Sequence, residues 1–216
     1  MAWVFISGAT GFMGRALAAG LLRRGHSVRG LARPGSESRV AAGSEGVTGN
    51  PLDPSTFAHF VPPADTFVQL VGVAHPSPAK AAEFRLVDLP AARAGVEAAR
   101  SAGIKHFIYV SVAQPAPVMQ EYIAARREGE AAIRASGMSA TILRPWYVLG
   151  PGRRWPMLLR PMYFVAERLP RTRETARRLG LVTLPQMVAA MIRAVESPPD
   201  GVRILDVSDI RDSSPL

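Results

Sequence analysis

Short apolar runs bounded by glycine alternate with alanine-rich stretches of helical period along the first 144 residues. "WVFISG" predicts a buried strand. "GRALAAGLLRRG" follows it with a helical period and stops at Gly25, a residue suited to a helix C-terminus. "SVRGLAR" predicts the second strand, followed by a weak helix and the loop "GVTGNPLDPSTF". "TFVQLVGVA" predicts a strongly apolar strand that "HPSPAK" breaks. Residues 79–102 predict a helix interrupted near Pro90, because proline lacks an amide donor and crowds the preceding turn. "KHFIYVSV" predicts a strand, "QEYIAARREGEAAIRASG" a helix closed by Gly137, and "SATILRP" another strand. Continuously apolar strands alternating with helices predict an α/β fold with a parallel sheet covered on both faces. After Arg144 the pattern changes. "PWYVLGPGRRWPMLLRP" is rich in proline and aromatic residues, and a helix "PQMVAAMIRAVES" and a last strand "VRILDVSDI" follow. The expected organisation is a core over residues 1–150 and a short cap over 151–216 that shapes the substrate site and completes the same domain.

The glycine loop turns this pattern toward a function. "SGATGFMGRALAAGLL" follows the first strand directly and opens a helix, with Gly8, Gly11 and Gly14 spaced G-x-x-G-x-x-G. One glycine permits the tight turn, a second lets backbone approach a pyrophosphate, and the third lets helix and strand pack closely. The helix N-terminus then offers amides and a positive dipole end to phosphate. The alternative is a glycine-rich turn without a ligand. Dinucleotide binding makes the expected fold a Rossmann-type doubly wound sheet.

Further motifs carry a family resemblance. The glycine spacing, preceded by Ser7 and carrying Ala9 and Thr10, resembles the short-chain dehydrogenase/reductase superfamily. "AARAGVEAARSAGIKHFIYVSV" resembles the helix and strand that carry that family's active-site serine. "SGMSATILRPWYVLGPG" resembles the "RP…GPG" stretch of its extended and atypical branches, and "YIAARREGE" resembles the atypical Y-x-x-x-K-x-x-x-E with one change. The resemblance covers about residues 1–152. It is close to the epimerase/dehydratase-like, nitrogen-repressor-like and complex I accessory-subunit-like members.

The resemblance implies a set of residues around the cofactor. Gly8, Ala9, Thr10, Gly11, Phe12, Met13, Gly14 and Arg15 form the phosphate loop. Asn50, Leu52 and Asp53 in "GNPLD" offer the adenine contact, with the choice among them open. Val71, Gly72 and Val73 run past the ribose, and Pro145 lies in the "RP" motif. His75 just beyond could face the site or be a loop residue. An acid at the end of the second strand would hold the ribose 2′-hydroxyl of NAD. Arg33 stands there instead, 19 residues after Gly14, with no acid until Glu37. A guanidinium binds a 2′-phosphate bidentately, so NADP(H) is expected over NAD(H), with Arg15 assisting. The alternative is a solvated Arg33.

On a helix Tyr122, Arg126 and Glu130 share one stripe. The resemblance implies that Tyr122 is the general acid or base, that the cation after it favours the phenolate and holds the ribose, and that Ser111 polarises the substrate carbonyl or hydroxyl. Arg126 replaces the family's lysine, keeping the charge but losing the compact ammonium. The expected function is an NADP(H)-dependent oxidoreductase acting on a small carbonyl. The alternatives are a non-catalytic NAD(P)H-binding redox sensor or assembly factor, and an epimerase or dehydratase.

Composition narrows the rest. The chain lacks cysteine, which excludes disulfides, thiolate metal sites and cysteine nucleophiles and fits a reducing, cytoplasmic compartment. The four histidines have no metal-ligand spacing, so no metal is expected. The N-terminus reads as a strand rather than a signal peptide, and no run of 18 apolar residues predicts a membrane span. The formal charge is +9, and residues 153–178 hold eight arginines against two acids. That segment is expected to be a lid over the substrate site; a peripheral membrane or protein contact is the next reading. No nucleic-acid motif accompanies the charge, and the expected state is a monomer or homodimer.

Overall fold

The structure, a computed structural model, describes residues 1–151 and 173–213. Seven parallel strands form one sheet in the order β3-β2-β1-β4-β5-β6-β9. Their ranges are β1 Trp3–Ser7, β2 Ser27–Ala32, β3 Glu45–Thr48, β4 Thr66–Gln69, β5 His106–Val110, β6 Ser139–Leu143 and β9 Val202–Leu205. A second, two-stranded parallel sheet pairs β7 (Tyr147–Leu149) with β8 (Leu181–Thr183). The strand order reverses at β1 and β4, whose ends lie side by side with Ser7 opposite Gln69. A crevice outside the carboxyl ends of the strands at such a switch point is where doubly wound sheets bind ligands.

Helices cover both faces. On one face α1 (Phe12–Arg23) and α6 (Leu184–Glu196) pack on Val4, Ile6, Val68 and Ile108. A Cβ at Gly20 would come within 2.8 Å of Ile192, so the glycine lets these two helices approach. On the other face α3 (Leu89–Ser101) and α4 (Gln120–Ala135) cover Phe5, Phe67, Phe107 and Ile142. The three phenylalanines stack across β1, β4 and β5 with centroids 5.1 and 5.2 Å apart. Gly137 ends α4 with φ of 74°, as its position predicted.

Four local features depart from the sequence reading. The weak helix after β2 is a single 3₁₀ turn, Glu37–Arg39. β4 is only four residues long; β1 ends at Ser7, opposite Gln69, and Leu70, Gly72, Val73 and Ala74 beyond it line a cleft instead. The predicted helix over 79–102 runs as α2 (Ala81–Glu83), a π-turn at Phe84–Asp88 and α3, with Pro90 just after the π-turn, where the helical hydrogen-bond ladder is already altered. "DVSDI" is not strand. Asp206 and Asp209 form a reciprocal capping box that opens α7 (Val207–Arg211). The last part of the chain thus adds β9 and α6 to the central layers. Of the arginine-rich segment only α5 (Arg173–Arg178) is described; the rest lies outside the described residues. Among the described residues no helix is long and apolar enough to cross a membrane.

One buried histidine makes the fold sensitive to acid. His106 at the start of β5 shares a 3.0 Å hydrogen bond with the Thr141 hydroxyl through Nε2, and its Nδ1 has no partner. Desolvation, aided by the charge of Arg203, lowers its pKa from 6.5 to about 4. The unfolded imidazole therefore takes up its proton first as pH falls. Stability from this group is complete above pH 6.5 and is lost as pH falls toward 4, by about 3 kcal/mol. Urea unfolding at pH 7, 5 and 4 measures the loss, and in His106→Asn that dependence is expected to flatten.

Candidate active site

The cleft is built from the glycine loop upward. Gly8 leaves β1 with φ of 91°, a conformation that favours glycine, and its carbonyl accepts the Gly11 amide at 3.0 Å. A Cβ at Gly14 would lie 2.2 Å from that carbonyl oxygen and 2.8 Å from Ala9 Cα. Gly11 caps α1 without a side chain, and the first turn holds no acid. First-turn amides lack intrahelical partners and carry the positive end of the helix dipole. A pyrophosphate therefore fits this loop: the first-turn amides offer donors, no carboxylate stands in the first turn, and Gly14 lets the helix pack directly on the loop backbone.

Gly8, Gly11, Phe12, Met13 and Gly14 form one wall of the cleft. Gly72 and Val73 line it from the segment after β4, Ser111 from the end of β5, Tyr122 and Arg126 from α4, and Pro145 from the turn after β6. These predicted residues are brought together. Ala9 is buried against Gly30, and Thr10, Arg15 and Val71 lie outside the lining. Arg33 is exposed directly after β2. In the loop after β3, Asn50 Oδ1 accepts the Leu52 amide at 3.1 Å, and Leu52 is exposed. Asp53 accepts the amide and hydroxyl of Ser55 at 3.0 and 2.7 Å, so its carboxylate caps a 3₁₀ turn. His75 lines the cleft from an exposed position with φ of 52°.

The helix stripe divides into three environments. Tyr122 is half-buried, with its ring against Phe84 at 4.9 Å between centroids. Arg126 is 5 % exposed and lies behind that ring, its Cζ 5.2 Å from the ring centroid. Arg126 Nη1 donates to the Val110 carbonyl at 2.9 Å, and Nη2 contacts Asp88 Oδ1 at 2.7 Å as an ion pair. Burial alone would depress the guanidinium, but Tyr122, Tyr109 and Asp88 together push it above its ordinary value. Asp88 is fully buried in the π-turn. Desolvation raises its carboxyl, opposed by Arg126 and by the Val73 amide, which donates to Oδ2 at 3.0 Å.

Glu130 faces a separate polar group. Ser111 Oγ donates to it at 2.6 Å and Gln114 Nε2 at 2.9 Å, while Arg144 grips both its oxygens at 3.0 and 2.6 Å. Hydrogen bonding to Glu130 raises the Arg144 guanidinium. The serine is thus oriented by a carboxylate that is itself held by an arginine. Sequence reasoning did not single out Asp88, Gln114 or Arg144. For Asp88 the signal was an acid inside the apolar run "LVDLP", where only a paired carboxylate is tolerated.

Comparisons with known proteins agree with this geometry. A family described as NAD(P)H-binding matches residues 8–154. Ceramide reductase of Caulobacter vibrioides is 31% identical over 221 residues, covering 96% of this chain; the chain spans 65% of that relative's length. Uncharacterized sugar epimerase YhfK of Bacillus subtilis is 32% identical over 153 residues, covering 66% of this chain and 70% of the relative. The crystal structure of a short-chain dehydrogenase/reductase superfamily protein from Agrobacterium tumefaciens, with bound NAD, superposes with a TM-score of 0.66 at 19% identity. It covers 97% of this chain and 81% of the other. The glycine loop at the strand-order switch, the tyrosine helix in the same cleft and these matches lead to one conclusion: the chain belongs to the NAD(P)H-binding family and has a Rossmann fold like that of the short-chain dehydrogenase/reductase superfamily protein it superposes on.

Proposed function

We propose that the protein is an NADP(H)-dependent oxidoreductase that reduces a carbonyl, with Tyr122 as the proton donor. The observation that carries this reading is the position of Tyr122 in the cleft wall across from the glycine loop, with a buried guanidinium behind its ring. When bound, the cofactor supplies hydride to the carbonyl carbon. Tyr122 delivers a proton to the carbonyl oxygen, and Arg126 favours the phenolate that remains. The Ser111 hydrogen is directed at Glu130, so Ser111 accepts rather than donates toward a substrate hydroxyl while that bond stands.

The first half of the cleft holds the dinucleotide. Gly8, Gly11 and Gly14 take the pyrophosphate, and Arg33 takes the 2′-phosphate. Glu37 Oε1 accepts the Gly35 amide at 3.1 Å and the Thr48 hydroxyl at 3.0 Å, so a carboxylate is held on the same loop and Arg33 must supply the attraction for a 2′-phosphate. Arg33→Ala is expected to weaken NADPH binding roughly tenfold or more and to leave NADH within twofold. Cofactor fluorescence titrations decide it; equal loss for both cofactors removes Arg33 from phosphate recognition.

Steady NADPH oxidation against a carbonyl panel tests the activity. Carbonyl compounds of the ceramide class go first, for the Caulobacter relative's name, and sugar nucleotides second, for the Bacillus relative's. A second reading, cofactor binding without turnover, is favoured by the direction of the Ser111 hydroxyl. Tight NADPH binding with no oxidation across the panel would select it.

A further inference from the structure

We propose that Asp88 is a positioning residue for Tyr122: paired with Arg126, it sets how much of the guanidinium's charge reaches the phenol ring. The proposal deepens the reading of Tyr122 as the acid and rests on it.

Three contacts build the device. Asp88 Oδ1 lies 2.7 Å from Arg126 Nη2, and the guanidinium's Cζ lies 5.2 Å from the Tyr122 ring centroid, so acid, cation and phenol are packed in sequence. Asp88 Oδ2 accepts the Val73 amide at 3.0 Å, which ties the same carboxylate to the cleft wall. The wall in turn leaves room for the pair only at a glycine. A Cβ at Gly72 would come within 2.2 Å of Arg126 Nη2 and 2.9 Å of Asp88 Oδ1.

The site of Asp88 in the backbone supports a selected position. It ends the π-turn at Phe84–Asp88, an element frequent at functional sites, and Phe84 from the same turn packs on the tyrosine ring. The pair is nearly solvent-free, with side-chain exposures of 6% for Arg126 and 0% for Asp88, so water does not screen it. An arginine alone at this distance would act on the phenol with its full charge. With Asp88 the net charge behind the ring is close to zero, and the tyrosine feels an oriented dipole.

Among the described residues, other titratable groups also surround Tyr122. Tyr109 lies behind Arg126, and His75 and Tyr147 line the same cleft. Glu121 pairs with Arg85 at the outer rim, and Glu130 pairs with Arg144. Tyr109 accepts a 3.4 Å hydrogen bond from Arg126 Nη1, so it responds to the same variants, and each variant is compared with and without Tyr122→Phe to isolate the Tyr122 step.

The test needs no substrate. Tyrosinate absorbance is followed against pH in the full-length protein, and the step that Tyr122→Phe removes identifies the residue. In Asp88→Asn this step is expected to move to lower pH by roughly one unit, because the cation is no longer offset; in Arg126→Gln it moves to higher pH. Opposed movements support the proposal. Steps unmoved in both variants, or moved in the same direction, overturn it, since a merely structural role lowers stability without an opposed shift. Should Asp88→Asn fail to fold, Arg126→Lys and Arg126→Gln make the comparison from the other side. Lysine keeps the step near its original pH and glutamine does not; coincident steps overturn the proposal. Absent turnover with opposed absorbance shifts would refute the catalytic reading alone, and turnover with unmoved steps would refute the Asp88 proposal alone.

Discussion

Tyr122→Phe is expected to lower turnover at least about a hundredfold while leaving NADPH affinity within threefold. The substitution removes one hydroxyl and keeps the ring. Its packing on Phe84 and over Arg126 therefore survives, and the fold has no reason to change. A positioned acid or base contributes on the order of 10² to 10⁴ in rate, which sets the size of the loss. The two readouts separate two failures. Turnover that persists at the original rate means that another group delivers the proton. Turnover and affinity that fall together mean that the hydroxyl holds the cofactor as well. The measurement is kcat at saturating NADPH beside a fluorescence titration of binding.

Gly14→Ala is expected to weaken NADPH binding at least tenfold and to lower stability by about 1–3 kcal/mol. The added methyl meets only backbone: the Gly8 carbonyl oxygen at 2.2 Å, Ala9 Cα at 2.8 Å and the Ala9 carbonyl carbon at 3.0 Å. No side chain can swing aside, so α1 must move off β1 and the first-turn amides move with it. Gly25→Ala is the control. Gly25 also needs glycine, with φ of 80°, but a methyl there meets nothing within 4 Å. It is expected to cost about 1 kcal/mol and to leave cofactor affinity unchanged. Urea unfolding and fluorescence titration of both variants check this. Wild-type affinity in Gly14→Ala would remove the loop from pyrophosphate binding.

Much of the fold was legible because its determinants are local. The G-x-x-G-x-x-G loop, Gly25 and Gly137 each answer a backbone requirement that one residue type meets best. Apolar runs of strand length flanked by helical periods need both faces of a sheet covered. The reading failed where apolar sequence served a cleft instead of a sheet. Leu70 to Ala74 look like strand continued, and only the ends of β1 and β4 decide that they leave it. "DVSDI" failed for a different reason, since a capping box formed by two aspartates outweighed its strand-like alternation.

The site divides along the same line. The sequence by itself determined the parallel α/β core, the cradle for a dinucleotide and the helix stripe that carries Tyr122, Arg126 and Glu130, because each follows from spacing along one element. Only the tertiary structure decided what those side chains do there. It set Asp88 against Arg126 across 38 residues of chain and directed Ser111 to a Glu130 held by Arg144. The reason is physical. A buried charge takes its character from whichever partner the packing brings within about 3 Å, and that partner comes from another element, at a separation no local pattern records.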